Sequence, residues 1–154
     1  MVFILFIHIT SLIFTFSNAS PPPAIFVDKG ACPFECCTYR EWTVEKDTEL
    51  FDKIDGKKII GKAVKGTKIQ GVTGEVHTIP LKTKTEKGHE VYLLTYQGEG
   101  FWKTWDDGIV KENVELLSIK KHPQSTWWVL IKLPDGKTGW TKNVENFGNI
   151  DACG

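Results

Sequence analysis

Three of the four cysteines, Cys32, Cys36 and Cys37, crowd one short segment, and the fourth, Cys153, stands at the far end of the 154-residue sequence. If these thiols are oxidised, the two regions must meet in space, which rules out any fold that keeps them apart. An even set of cysteines in an exported chain reads as disulfides. Four cysteines allow three pairings, and joining the neighbours Cys36 and Cys37 to each other would strain disulfide geometry. Two pairings remain: Cys32 with Cys36 and Cys37 with Cys153, or Cys32 with Cys37 and Cys36 with Cys153. In both, one bond ties the cluster to Cys153, and closing so long a loop is worth on the order of 4 to 5 kcal/mol in the chain-entropy model. Zinc is the rival reading, with His77, His89 or His122 as further ligands. The spacing C-x3-C-C lacks the paired C-x2-C turns that present two sulfurs to one tetrahedral ion, so no metal is expected.

The opening residues supply the compartment. MVFILFIHITSLIFTFSNAS runs apolar from Val2 to Phe16 and ends in Ser17-Asn18-Ala19, small at both positions a signal peptidase inspects. The pattern predicts a signal peptide over 1–19, cleavage after Ala19, and a mature chain that starts at Ser20 and is secreted or periplasmic. A membrane anchor would need about 20 apolar residues, and this run is shorter and interrupted by His8, Thr10 and Ser11. The n-region carries no lysine or arginine, a departure from the usual signal. No transmembrane segment is expected after cleavage.

Lysine plus arginine and aspartate plus glutamate number 19 each, so no net charge draws the chain toward nucleic acid or an anionic membrane. Arg40 is the sole arginine, and without guanidinium forks a reader of phosphates or guanines has little to work with. Nucleic acid is set aside as a partner.

The length suits one domain. Residues 20–42 read as a stiff spacer, Ser20-Pro21-Pro22-Pro23, followed by the cysteine cluster. From Thr43 onward short β-prone runs alternate with glycine and lysine turns, and no stretch keeps a helical apolar period, so the mature domain is expected to be all-β. Leu50, Phe51 and Ile54 mark a strand ended by Asp55-Gly56, and Ile59-Ile60 opens the next. KIQGVTGEVHTI is a strand in which Gly71 and Gly74 predict bulges or sharp bends. Glu90–Tyr96 and Phe101–Trp105 flank Gln97–Gly100 as a hairpin, with Asp107-Gly108 as a further turn. Glu112–Pro123 is either a short helix or a connection. Trp127–Leu133 alternates, with Trp127, Val129, Ile131 and Leu133 on one face and Trp128, Leu130 and Lys132 on the other. Pro134-Asp135-Gly136-Lys137 then turns the chain into Thr138–Thr141.

WWVLIKLPDGKTGW, Trp127 to Trp140, resembles the distal hairpin of a Src-homology-3-like (SH3-like, SH3b) barrel in the bacterial form found in exported proteins: a tryptophan-led strand, a D-G turn, then G-W. TELFDKIDGKKIIGKAVKGTKI, Thr48 to Ile69, is similar to the same family's first strand, diverging loop and following small strand. The resemblance implies a small SH3-like β-barrel over 43–154. It is interrupted at about 73–125 where the family has a short loop, and a grown β-hairpin, Glu90 to Val110, is the expected insertion. Two tandem barrels are the competing reading, but they would leave no chain for a linker.

The resemblance also implies a non-catalytic binding module for cell-wall peptide or glycan, or for an extended segment of a protein partner. It would act as a monomer without a cofactor. In that family the strand-leading tryptophan borders the ligand groove, which points to Trp127 or Trp128, with Trp102 and Trp105 of the inserted hairpin extending it. Trp140 is expected in the core. Glu75 and His77 share one strand face and could form a metal or acid–base pair, though two solvated side chains are the plainer reading. Asp106-Asp107 reads as a turn entry, and His89 and His122 as loop residues. No G-x-S-x-G elbow, phosphate loop or H-E-x-x-H helix occurs. A small hydrolase built on Glu75, His77 or Asp106-Asp107, and a purely structural secreted protein, are the alternatives.

Overall fold

Lys68–Thr78 has no proline and alternates apolar with polar residues. In the computed structural model, which describes residues 20–153, it is one strand of eleven residues. Its burial alternates through Ile69 and Gly71, changes phase, and resumes at Gly74, Val76 and Thr78. The change of phase is a bulge: Leu130 and Ile131 of the neighbouring strand face Thr73 and Gly71, leaving Val72 as the extra residue. An extra residue bends the strand while keeping its apolar side chains inward on both sides of the bend. The bulge lies between the two glycines that predicted it.

The strands in chain order are β1 (Phe26–Lys29), β2 (Glu41–Val44), β3 (Thr48–Phe51), β4 (Ile59–Ala63), β5 (Lys68–Thr78), β6 (Leu81–Lys84), β7 (Glu90–Gly98), β8 (Phe101–Asp106), β9 (Ile109–Glu115), β10 (Ser125–Lys132), β11 (Thr138–Thr141) and β12 (Phe147–Gly148), with a 3₁₀ turn over Val144–Asn146. The all-β expectation is met, and Glu112–Pro123 resolves into the end of β9 and a connection without a helix. The larger sheet has the order β12-β2-β5-β10-β11-β3-β4 and curls into a half-barrel. β5 is long enough to pair with β2 through its first half and with β1 through its second half. Part of the stretch read as spacer and cysteine cluster is therefore built into the sheet, and Trp42, at its end, is fully buried.

Trp42, Val44, Leu50, Ile69, Val129, Ile131 and Phe147 fill the concave side of this sheet. The glycines of β5 make room for them. A Cβ on Gly71 would lie 2.8 Å from Trp42 Cε2, and one on Gly74 would lie 2.6 Å from Trp127 Nε1, so each indole rests against bare backbone.

β6, β7, β8 and β9 form a separate four-stranded antiparallel sheet between β5 and β10 in sequence. Its hairpins follow from turn chemistry: Asp107 (φ 49°) and Gly108 (φ 88°) both take the left-handed conformation that a two-residue hairpin turn demands. Where the sequence suggests a hairpin over Glu90–Val110, the structure has these strands extended by β6 and by the rest of β9. This sheet has its own small core of Val91, Leu93, Trp102 and Leu116. It is fastened to the larger sheet by Lys103, whose Nζ donates to Asp28 Oδ1 of β1 at 2.9 Å, and by Trp105, whose Nε1 donates to the Ser20 carbonyl at 2.8 Å.

Of the two disulfide pairings left open, the structure has Cys32–Cys37 and Cys36–Cys153, with Cα separations of 5.4 and 5.6 Å. The backbone backs this up. Cys37 bridges to Asp151, Ala152 N–H donates to the Cys36 carbonyl at 2.8 Å, and the sole arginine, Arg40, donates to the carbonyls of Asn149 and Asp151. The predicted signal peptide lies outside the described residues. Among those described, no helix is long and apolar enough to cross a membrane.

Candidate functional site

Trp127 and Trp128 point to opposite sides of β10, as alternation requires. Trp127 faces inward. Its ring meets Phe34, Tyr39 and Trp42 edge-on at centroid distances of 5.8, 6.4 and 6.4 Å. Its Nε1 donates to the Tyr39 hydroxyl at 3.1 Å, and that hydroxyl in turn donates to the Ala31 carbonyl. Burial raises the Tyr39 pKa, so the phenol stays protonated and keeps its donor role. Trp127 thus fastens the cysteine segment to the larger sheet.

Trp128 faces the other way, onto the outer surface where β1, β5 and β10 lie side by side. Cross-strand pairing puts Glu75 opposite Trp128, and His77 opposite both Thr126 and Val27, so these side chains share one face. Trp128 forms one wall of a cleft of about 180 Å³. Its other walls are Ile25 ahead of β1, Asp55 from the β3–β4 loop, His77, Ile79 and Thr126, and Lys142 just past β11. The Lys142 ammonium sits 5.6 Å from the Trp128 ring centroid in a cation–π contact, and Trp128 is only 4% exposed beneath it. Ile25 and Ile79 are more than half exposed, at 56% and 52%. Among the described residues neither Lys142 nor Asp55 has an ion-pair partner, so both charges are free to meet a ligand.

Glu75 and His77 are not the two solvated groups that the plainer reading expects. His77 Nε2 and Glu75 Oε2 are 3.0 Å apart, and each side chain is only about a fifth exposed. β5, which carries both, is flanked by β1 on one side and β10 on the other, which shields them. The two side chains are within hydrogen-bond distance, but no third metal-ligating side chain joins them among the described residues.

The other predicted rings lie elsewhere. Trp102 is 2% exposed, packed against Tyr96 and His122 at centroid distances of 4.9 and 5.0 Å, and reaches a cleft of about 100 Å³ that Val76 and Pro33 also line. Trp105 is half-buried beside Ser20 and Pro21 in a third cleft. Trp102 and Trp105, expected to extend a groove bordered by Trp127 or Trp128, therefore line two other clefts instead. Trp140, expected in the core, is only partly buried and belongs to neither core cluster, because alternation along β11 turns Gly139 and Thr141 inward instead.

Asp107 is a turn residue, as expected. Asp106 is buried, accepts from His89 Nε2 at 2.7 Å and pairs with the Lys111 ammonium. Lys111, and after it His89, hold its carboxyl below the usual aspartate range. His89, Asp106 and Asp107 converge as metal ligands would, yet the Lys111 ammonium already neutralises Asp106.

Lys142, Asp55, Ile25 and Ile79 were given no part in a site by the sequence. They come from four separate stretches, and only the positions of Trp128 and His77 on outward strand faces hinted at the cleft. Compared with protein-family models, curated proteins and solved structures, the chain matches none.

Proposed function

We propose that this protein is an extracytoplasmic, non-catalytic SH3-like binding domain, and that its ligand is an extended peptide, from the cell wall or a protein partner, received at the Trp128 cleft. The observation that carries the reading is the make-up of that cleft: an indole and two exposed isoleucines for apolar contact, with unpaired Asp55 and Lys142 to orient a ligand. The two disulfides fit an oxidising compartment. The SH3-like reading draws support from the order of elements. The β3–β4 hairpin, β5, and the β10–β11 hairpin follow one another as the two resembling blocks require, and the second sheet occupies the connection that is short in that family.

The test is a titration of the 15N-labelled mature domain with soluble wall peptides and with extended peptides of a random library, following the Trp128 and Lys142 signals. Ile79→Asp and Lys142→Glu alter surface side chains and should weaken binding by tenfold or more with little change in melting temperature. Shifts confined to the Trp102 cleft, or binding untouched by both variants, would falsify the assignment. A small hydrolase is the second reading, favoured only by the Glu75–His77 pair, whose His77 lines the cleft. Turnover of a bound peptide that His77→Ala abolishes would establish it.

A further inference from the structure

The third cleft, of about 200 Å³, has the chain's own Ser20 and Pro21 as part of its wall, alongside Trp105, Tyr92, Glu90, Lys82 and Asp107. The Ser20 carbonyl accepts from Trp105 Nε1 at 2.8 Å, and Ser20 Cβ lies 3.4 Å from where a Cβ on Gly108 would stand. Ser20 is thus held against the β8–β9 turn, next to Asp107. Three charged groups line the cleft. Lys82 and Glu90 neutralise each other at 2.8 Å, while Asp107 is in no ion pair among the described residues, which leaves one uncompensated negative charge. Tyr92 is the only other titratable side chain of the lining; behind it, His89 and Asp106 lie within 4.8 Å of the Asp107 carboxylate, and Lys111 neutralises Asp106, so the surplus charge stays with Asp107.

We infer that this cleft is a docking site for the α-ammonium group that signal-peptide cleavage creates at Ser20, with the Asp107 carboxylate as its counter-ion. The inference rests on the export half of the reading above and does not involve the Trp128 cleft. A signal peptidase adds water across the Ala19–Ser20 peptide bond. The water oxygen leaves with the Ala19 carboxylate, and the freed nitrogen takes up protons to become an ammonium. Before cleavage that nitrogen is a neutral amide and offers Asp107 no charge; afterwards it places a positive charge where the lining has a surplus negative one. Removal of the leader therefore locks the arm onto the second sheet, and the stiff Pro21-Pro22-Pro23 run that follows lowers the entropy lost in docking.

The experiment uses the secreted protein as processed by its host. N-terminal sequencing identifies the first residue, and the Ser20 Hα and Cα resonances report the titration of its amine. Ser20 should come first, and its amine should titrate clearly above the ordinary range of about 7.7 to 8.0. Asp107→Asn keeps a residue that tolerates the left-handed turn conformation, and it should return the amine to that range. Adding Gly-Gly ahead of Ser20 should speed solvent exchange of the Trp105 indole N–H severalfold. A different first residue overturns both the cleavage site and the docking. Ser20 first, but with an ordinary amine titration that Asp107→Asn leaves unchanged, overturns the docking and leaves export standing.

Discussion

Gly74 shows how much a single missing methyl group decides. Adding it would push a carbon to 2.6 Å from Trp127 Nε1 and 2.7 Å from the Trp128 carbonyl, atoms held by a strand and by a hydrogen bond to Tyr39. Gly74→Ala should therefore cost about 1 to 3 kcal/mol by overpacking, measured by urea denaturation, whereas Val72→Ala at the exposed bulge should cost little. The sequence revealed that Gly71 and Gly74 break the strand's regularity. It could not reveal that two indoles and a tyrosine lie across them, because those rings come from segments more than 25 residues away in either direction.

Asp106 offers a second test at this scale. Lys111 and His89 lower its pKa in the folded chain, so it stabilises the fold at pH values above the unfolded aspartate value of about 3.9, and that contribution is lost as the pH falls through the lower folded value. The stability gap between the wild type and Asp106→Asn should be widest near neutral pH and close in acid. Thermal melts at pH 7, 4 and 2.5 would show it, and a gap that persists at pH 2.5 would assign the effect to packing instead.

Between elements, the attachment of the second sheet to the first depends on Lys103. Its ammonium joins Asp28 of β1, 7% exposed at the side chain, to Glu112 of β9 at 3.2 Å. Lys103→Met would leave the Asp28 carboxylate buried without its cation, and one of its oxygens already has no partner in the folded chain. The loss should be about 3 kcal/mol, at the lower end for a broken buried pair because Lys103 is itself a fifth exposed. Adding Asp28→Leu to Lys103→Met should recover most of the loss, and a double-mutant cycle in guanidinium measures the coupling. The strands of this sheet were legible where aromatic residues marked them, as in EVYLLTY and FWKTW. β6, with the sequence LKTK, was missed because alternating lysine and threonine looks the same in a loop as on a sheet edge. The latch itself was illegible, since nothing in the sequence pairs residue 28 with residue 103.

For the whole molecule, the meeting of the cysteine cluster with Cys153 was readable from residue types alone, whereas the choice between two pairings needed coordinates. The two bonds should differ in worth. In the chain-entropy model, closing the loop spanned by Cys36 and Cys153, with a sequence separation of 117, outweighs closing the one between Cys32 and Cys37, with a separation of 5. Cys36→Ser with Cys153→Ser should therefore cost about 2 to 3 kcal/mol more than Cys32→Ser with Cys37→Ser, as read from denaturation midpoints. Alkylation of the unfolded, oxidised wild type should add no label, since all four cysteines are bonded.

The same bond has a mechanical consequence. Every core residue from Trp42 to Phe147 lies inside the loop that Cys36 and Cys153 close, so tension applied outside that loop can peel β1 from β5 but is carried past the remaining strands by one covalent link. Held between two anchors, the oxidised domain should stay folded at forces that strip ordinary barrels. A reductant would then release roughly 400 Å of hidden chain in a single step, the extended length of the residues the bond had taken out of the load path.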